Sequence, residues 1–133
     1  MEFSDGATLV CDVTGRKLNG NLLLGPDAKL DVAIDVNSPT PLTLTNPFAT
    51  LNMTANETSP VVISVEASPN HPWRKNESYP IIALAGGATF SNHNPDYFAL
   101  ELPKYVSGHV ECTAGGVNLI VDGVRKNTVL IIR

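Results

Sequence analysis

The sequence is poor in charge, in clustered basic residues and in long hydrophobic runs. Charged residues make up only 17% of its 133 residues, and 13 acidic side chains outnumber 9 basic ones, which gives a net charge of −4. Because the basic residues are scattered, the patch that binds nucleic acid or an anionic membrane is missing. No apolar run approaches the roughly 20 residues that span a bilayer. We therefore expect no nucleic-acid partner and no membrane insertion.

The sequence also leaves little room for helices. Its 10 glycines and 10 prolines interrupt the chain, whereas helices of globular proteins usually run for roughly 10 to 14 residues. Apolar side chains instead alternate with polar or small ones, as at Leu30, Val32 and Ile34, and this period of two is typical of half-buried β-strands. We predict an all-β fold with strands in residues 8–13, 18–24, 30–36, 42–44, 51–53, 61–65, 81–84, 98–102, 110–113, 117–121 and 128–132.

The expected architecture is a single all-β domain over residues 1–133, which either stands alone or forms a segment of a larger protein. Short strands between turn signals such as Asp122-Gly123 favour a two-sheet β-sandwich or jelly roll that buries the aliphatic side chains between its sheets. The alternative is a β-solenoid segment, which would leave an open end that needs a partner or a longer parent chain. A solenoid usually repeats at a fixed period, and no such period is visible here. The sandwich is therefore the first prediction and the solenoid the second.

The two cysteines are too few to form a zinc site alone. Cys11 alternates with Leu9 and Val13, and Cys112 follows Val110 by two residues, so both are expected on the apolar side of their strands. There they are either buried free thiols or the two halves of a disulfide. We predict no metal and no cofactor, and the choice between thiols and disulfide stays open.

Signs of catalysis are scarce. The sequence contains no Gly-Lys-Ser phosphate loop, no Gly-x-Ser-x-Gly elbow and no His-Glu-x-x-His motif. His71 and His93 fall in polar loops and His109 on the outward face of a strand, and none has an evident acid–base partner. We predict that the protein has no catalytic residues and is not an enzyme.

Two longer polar loops, residues 67–79 and 90–97, are the candidates for a binding surface, since loops on a rigid scaffold often carry recognition. The predicted patch joins the two loops and consists of Trp73, Arg74, Asn92, His93 and Tyr97. An exposed Trp73 would stack on a sugar ring or anchor a protein partner. Folded back, the same ring would instead be a lid over the edge of the core.

These features predict a non-enzymatic structural or assembly module, such as a surface, shell or fibre component, that acts through a protein partner or self-association. The alternative is a carbohydrate-binding or adhesion β-sandwich module with a glycan as ligand. The structural class comes first because one tryptophan, three tyrosines and four phenylalanines are few for a sugar-stacking platform. An enzyme acting on a polysaccharide comes last. We expect an extracellular or surface-exposed location.

Overall fold

The computed structural model describes residues 1–35, 37–67 and 71–125. These residues form thirteen β-strands and one 3₁₀ turn at Pro95–Tyr97, with no α-helix among them, so the predicted all-β class is confirmed. The predicted strand at residues 128–132 lies outside the described residues, as does Val36 at the end of another. The strands are β1 (Glu2–Phe3), β2 (Thr8–Cys11), β3 (Arg16–Leu18), β4 (Leu22–Leu24), β5 (Lys29–Ile34), β6 (Leu42–Leu44), β7 (Thr50–Met53), β8 (Val61–Ala67), β9 (Ser78–Leu84), β10 (Thr89–Ser91), β11 (Phe98–Glu101), β12 (Val106–Thr113) and β13 (Gly116–Val124).

The strands form three sheets, which we call A, B and C. Sheet A has the order β1-β4-β7-β10, sheet B the order β11-β8-β5-β2 and sheet C the order β12-β13-β9-β6-β3. All pairs in sheets A and B are parallel, and so are β3–β6 and β6–β9 in sheet C. Up to β11, each strand pairs with the strand three places later in the chain. The chain therefore passes through the three sheets in turn and starts each new coil on top of the previous one.

This connectivity is that of a parallel β-solenoid, which was the second of the two predicted architectures. A two-sheet sandwich or jelly roll is built from antiparallel strands. Here the antiparallel pairs of the described residues are β12–β13 and β13–β9. The mostly parallel sheets thus do not support the first prediction.

The sequence shows no fixed repeat because the coils differ in length. Glu2 pairs with Leu23, Leu23 with Asn52 and Asn52 with Ser91, so each coil is longer than the one before it. Much of the added chain lies in the corner loops, where extra residues cost little free energy. Unequal loops therefore hide the period from the sequence while the strands remain stacked.

The core is a column of aliphatic side chains enclosed by the three sheets. In sheet B the register places Leu9, Leu30 and Ile63 in one row, and each is at most 2% exposed. Along β8, Val61 and Val65 are buried on the same side as Ile63, because alternate side chains of a strand point to the same face. The alternation in the sequence thus marks the residues that fill the solenoid.

The two ends of the solenoid differ. At the last coil, β12 and β13 form an antiparallel hairpin, and β13 occupies the place beside β9. Strand β12 also lies against β11, and its Val106 and Val110 are buried as part of the core. The outermost strands at this end are β10, β11 and β12, and those at the other end are β1, β2 and β3. We call this first coil, residues 2–18, the open end.

Candidate functional site

The two predicted binding loops lie at different corners of the solenoid. Trp73 and Arg74 belong to the connection from β8 of sheet B to β9 of sheet C. Asn92, His93 and Tyr97 belong to the connection from β10 of sheet A to β11 of sheet B. Among the described residues, no hydrogen bond or ring contact joins the two groups. The residues of the predicted joint patch are therefore divided between two corners.

Trp73 is buried, which agrees with the second of the two alternatives, a lid over the edge of the core, and not with an exposed anchor. Only 8% of the residue is exposed. Its ring packs edge-on against His71 at a centroid distance of 4.7 Å and lies 5.4 Å from the ring of Tyr79. His71 and Tyr79 also contact each other, at 5.3 Å. We call these three residues the aromatic cluster, in which Trp73 closes the edge of the core as a lid.

The second loop uses its polar side chains to hold its own conformation. Nδ2 of Asn92 donates to Oδ1 of Asn52 and to a backbone carbonyl of the same strand, both at 3.4 Å. Asn92 has a φ of 59°, in the left-handed region that asparagine tolerates better than most residues. The ring of His93 lies 5.1 Å from that of Phe90, and Tyr97 is half-buried against the core. These contacts give Asn92, His93 and Tyr97 a structural role within the loop.

A cavity of about 360 Å³ lies at the corner between sheets B and C. It is bounded by the connection from β5 to β6 in one coil and by the connection from β8 to β9 in the next. Its walls combine four prolines with polar residues that include Asp35, Thr40, His71, Arg74, Glu77 and Tyr79. Of these, sequence reasoning singled out Arg74 alone as a site residue, because the stacking of the two connections is visible only once the coils are known. We call this space the corner cavity.

Several buried polar atoms at this corner have no hydrogen-bond partner in the described structure. They are both ring nitrogens of His71, Nε1 of Trp73 and Oε2 of Glu77. The Tyr79 hydroxyl donates to the Pro72 carbonyl at 3.4 Å. Burial raises the pKa of Tyr79 to about 12, and the neighbouring Glu77 carboxylate adds to the rise. Since nearly all buried polar groups in proteins are hydrogen-bonded, this concentration of unbonded atoms distinguishes the corner from the rest of the described chain.

The open end presents backbone groups that no strand of the described chain covers. The N–H of Lys29 donates to the carbonyl of Ala7 at 2.9 Å, across the boundary between β5 and β2. Successive backbone groups of a strand point alternately to its two edges. Thr8 and Val10 therefore direct their N–H and C=O groups away from β5, toward the open end. Strands β1 and β3 have the same outermost position in sheets A and C.

Several exposed hydrophobic side chains lie near the same end, and Tyr105 and Val124 are exposed at the hairpin β12–β13. Met1 is 54% exposed, Val10 60% and Val13 43%. These are three of the six large hydrophobic residues that the described structure leaves exposed. Phe48, at 91%, stands at another corner, in the connection from β6 to β7. The first coil is thus an edge of all three sheets and carries exposed valines beside its charged residues.

His109 has an acidic partner that sequence reasoning missed. Its Nδ1 lies 2.7 Å from Oδ1 of Asp122, and both side chains are about half exposed. The hairpin register pairs His109 with Ile120, which makes Asp122 a diagonal neighbour on the same face. Counting back from the turn at Gly115-Gly116 would have found this pair. An exposed pair of this kind contributes little to stability.

The cysteines are both free, which decides between the two alternatives left open by the sequence. Cys11 is buried, and Cys112 is half-buried. Burial raises the pKa of the Cys112 thiol to about 11 and also raises that of Cys11, so both are weak nucleophiles at neutral pH.

Residues 1–35, 37–67 and 71–125 contain no group of three or more His, Cys, Asp or Glu residues that could hold a metal ion. They also include no helix with the length and apolar character needed to cross a membrane.

Comparison of the chain with protein-family models, with curated proteins and with solved structures gives no match in any of the three. The open end and the corner cavity, with the chemistry of their residues, are therefore the features that bear on function.

Proposed function

We propose that this chain is a non-enzymatic assembly module that associates through its open end, with a second copy of the same chain as its partner. The proposal is carried by the difference between the two ends of the solenoid. At the last coil the hairpin β12–β13 lies against β11 and buries Val106 and Val110 in the core, whereas no strand of the described chain lies beyond β1, β2 and β3 at the first. One end is thus partly covered by the chain itself, and the other presents the three strand edges of a single coil, which can accept a partner.

The backbone supplies the main attraction. An outermost strand carries a row of N–H and C=O groups that pair readily with a strand from another chain. At the open end, three such strands surround one core, so a partner of the same three-sided shape would pair with all of them at once. Another first coil has this shape, whereas a single peptide strand would pair with only one sheet.

The symmetry of the association follows from the difference between the ends. The last coil also ends on outermost strands, β10, β11 and β12, but sheet C extends two strands beyond β9 whereas sheets A and B extend one strand beyond β7 and β8. These uneven edges do not match the three edges of the first coil, so we expect open ends to join each other, which gives a closed dimer and no filament. A two-fold axis perpendicular to the solenoid reverses the direction of every strand. With this axis through sheet B, β2 of one copy pairs antiparallel with β2 of the other, and β1 of each pairs with β3 of its partner.

The side chains of the first coil favour this contact. Its acidic residues Glu2, Asp5 and Asp12 are accompanied by Arg16 and Lys17, so charges of both signs meet in the dimer and no large single-sign field repels the copies. The exposed Met1, Val10 and Val13 add apolar surface near the contact.

The test is a proline at Val10, compared with threonine at the same position. Proline removes an N–H that points to the open end and has no strand of the described residues beside it, so the fold is expected to tolerate it at this edge. Threonine keeps the N–H and the branched shape. By sedimentation equilibrium we expect wild type and Val10→Thr to have about twice the 14.2 kDa mass of the chain, and Val10→Pro to be a folded monomer. A monomeric wild type at its highest soluble concentration would rule the proposal out, as would a dimeric Val10→Pro variant.

A further inference from the structure

The corner cavity is distinct from the open end, since it lies between the second and third coils at the corner of sheets B and C. Its volume of about 360 Å³ is within the range of pockets that hold small molecules, roughly 300 to 1,000 Å³. Nothing in the proposed assembly uses it.

Two residues that line the cavity bury polar atoms to which the described protein offers no partner. They are His71, through both ring nitrogens, and Glu77, through Oε2. A neutral imidazole has one donor and one acceptor nitrogen, and a carboxylate oxygen accepts. Leaving such atoms unbonded is unfavourable. The protein therefore keeps hydrogen-bonding capacity at this corner that a bound molecule could satisfy.

The charges around the cavity argue against an anionic ligand. The carboxylates of Asp35 and Glu77 face one guanidinium, that of Arg74, so the lining has no surplus of positive charge to hold a phosphate or sulfate. A metal ion is also disfavoured, because the described residues contain no group of three or more ligands that could hold it.

The remaining walls suit a molecule with both polar and apolar faces. Four prolines and the ring of Tyr79 form flat apolar surfaces, and Thr40 and Arg74 add polar groups beside them. A purely apolar ligand would leave these polar groups without partners. A sugar ring has a C–H face that packs on apolar or aromatic surface and hydroxyls that both donate and accept.

We propose that the corner cavity binds a neutral saccharide unit, with His71 and Glu77 as hydrogen-bonding partners of its hydroxyls and Arg74 at its rim. The unbonded nitrogens of His71 then serve binding. A phenylalanine ring at the same position would have no buried nitrogens, but it could not hydrogen-bond a ligand. Replacing His71 with phenylalanine preserves the ring contacts with Trp73 and Tyr79 and removes both nitrogens. This substitution should therefore weaken binding without destabilising the fold.

The experiment uses saturation-transfer-difference NMR and titration of the full chain with the methyl glycosides of glucose, galactose, mannose and N-acetylglucosamine. We expect at least one of them to bind the wild type, and His71→Phe to weaken that binding about ten-fold or more, as expected for lost hydrogen bonds, without lowering the free energy of unfolding. Arg74→Ala, which changes an exposed residue, is the second test variant if His71→Phe does not fold. It is also expected to weaken sugar binding.

Lys75→Ala is the matched control, because Lys75 is the exposed neighbour of Arg74 and does not line the cavity. The affinity of Lys75→Ala for the sugar should be within about two-fold of that of the wild type. The proposal is overturned if none of the four sugars binds, if His71→Phe and Arg74→Ala bind like the wild type, or if Lys75→Ala loses binding to the same extent. The sugar affinities do not depend on whether the chain forms a dimer, because dimer formation is tested separately by the mass in sedimentation equilibrium.

Discussion

Gly116 passes so close to Ile82 that a Cβ built on the glycine would lie 1.9 Å from the Ile82 carbonyl oxygen. The φ of Gly116 is 142°, which side-chain-bearing residues rarely adopt. The following residue, Val117, pairs with Ile82, and the register shifts directly after it. The hairpin that covers the last coil is therefore positioned on β9 through a residue that has to lack a side chain.

We predict that Gly116→Ala destabilises the protein by about 2 kcal/mol or more, because the methyl group is placed against backbone and the φ is strained. Gly115→Ala is the matched control, since a Cβ there meets only Thr113 Oγ1, at 3.6 Å. Denaturant titration monitored by circular dichroism measures both variants. Equal stabilities for the two alanine variants would contradict the prediction.

Ile63 tests the central row of the core. It is fully buried between Leu30 and Leu100 in the register of sheet B. We predict that Ile63→Ala lowers the free energy of unfolding by about 2 to 5 kcal/mol, the range for large-to-small changes in a packed core. Val62→Ala, at the adjacent half-buried position on the opposite face of β8, should cost clearly less. A loss below about 0.5 kcal/mol for Ile63→Ala would mean that this face is not inside.

The strands and their buried faces could be predicted from the sequence, because the alternation of side chains is a local property of extended chain. Val61, Ile63 and Val65 are buried as their spacing indicates. The order of the strands could not be predicted in the same way. It depends on which strands pair, and a coil that grows from the pair Glu2–Leu23 to the pair Asn52–Ser91 has no fixed period to detect.

The candidate site was less predictable, because it depends on contacts between distant parts of the chain. Polar composition identified the loop of Trp73 but not the direction in which the ring points, which is set by packing against His71 and Tyr79. The corner cavity needs residues near Asp35 to lie beside residues near Glu77. That juxtaposition follows from the pairing of β5 with β8 and of β6 with β9, which local patterns do not encode.

Because Trp73 is buried, its removal should lower the stability of the fold. We predict that Trp73→Ala destabilises the fold by about 3 to 5 kcal/mol, as expected when a large aromatic ring is removed from a packed site. Trp73→Phe should cost less, because it keeps an aromatic ring and removes the buried, unbonded Nε1. Thermal unfolding compares these variants with Lys75→Ala, which changes an exposed neighbour in the same loop. Trp73→Ala with wild-type stability would show that the ring is not a lid.

Alkaline pH should destabilise the protein through groups whose protons are held more tightly in the folded state. Burial raises the pKa of Cys112 from an ordinary value of 9.0 to about 11, and that of Tyr79 from 10.0 to about 12. Because the folded pKa of each group is the higher one, the unfolded chain loses the proton first as the pH rises. The stabilisation is thus complete below pH 9 and is lost between pH 9 and 11 for Cys112 and between pH 10 and 12 for Tyr79.

We predict that the free energy of unfolding falls as the pH is raised from 9 to 12, as measured by urea titration at each pH. The decline should be shallower between pH 9 and 11 in Cys112→Ala, and shallower between pH 10 and 12 in Tyr79→Phe, because each variant lacks the group that titrates in that window. Both variants are compared with the wild type at pH 7, so that any change in packing is separated from the slope. A wild type whose stability does not change up to pH 12, or variants with the wild-type slope, would show that these groups ionise at the same pH in the folded and unfolded chain.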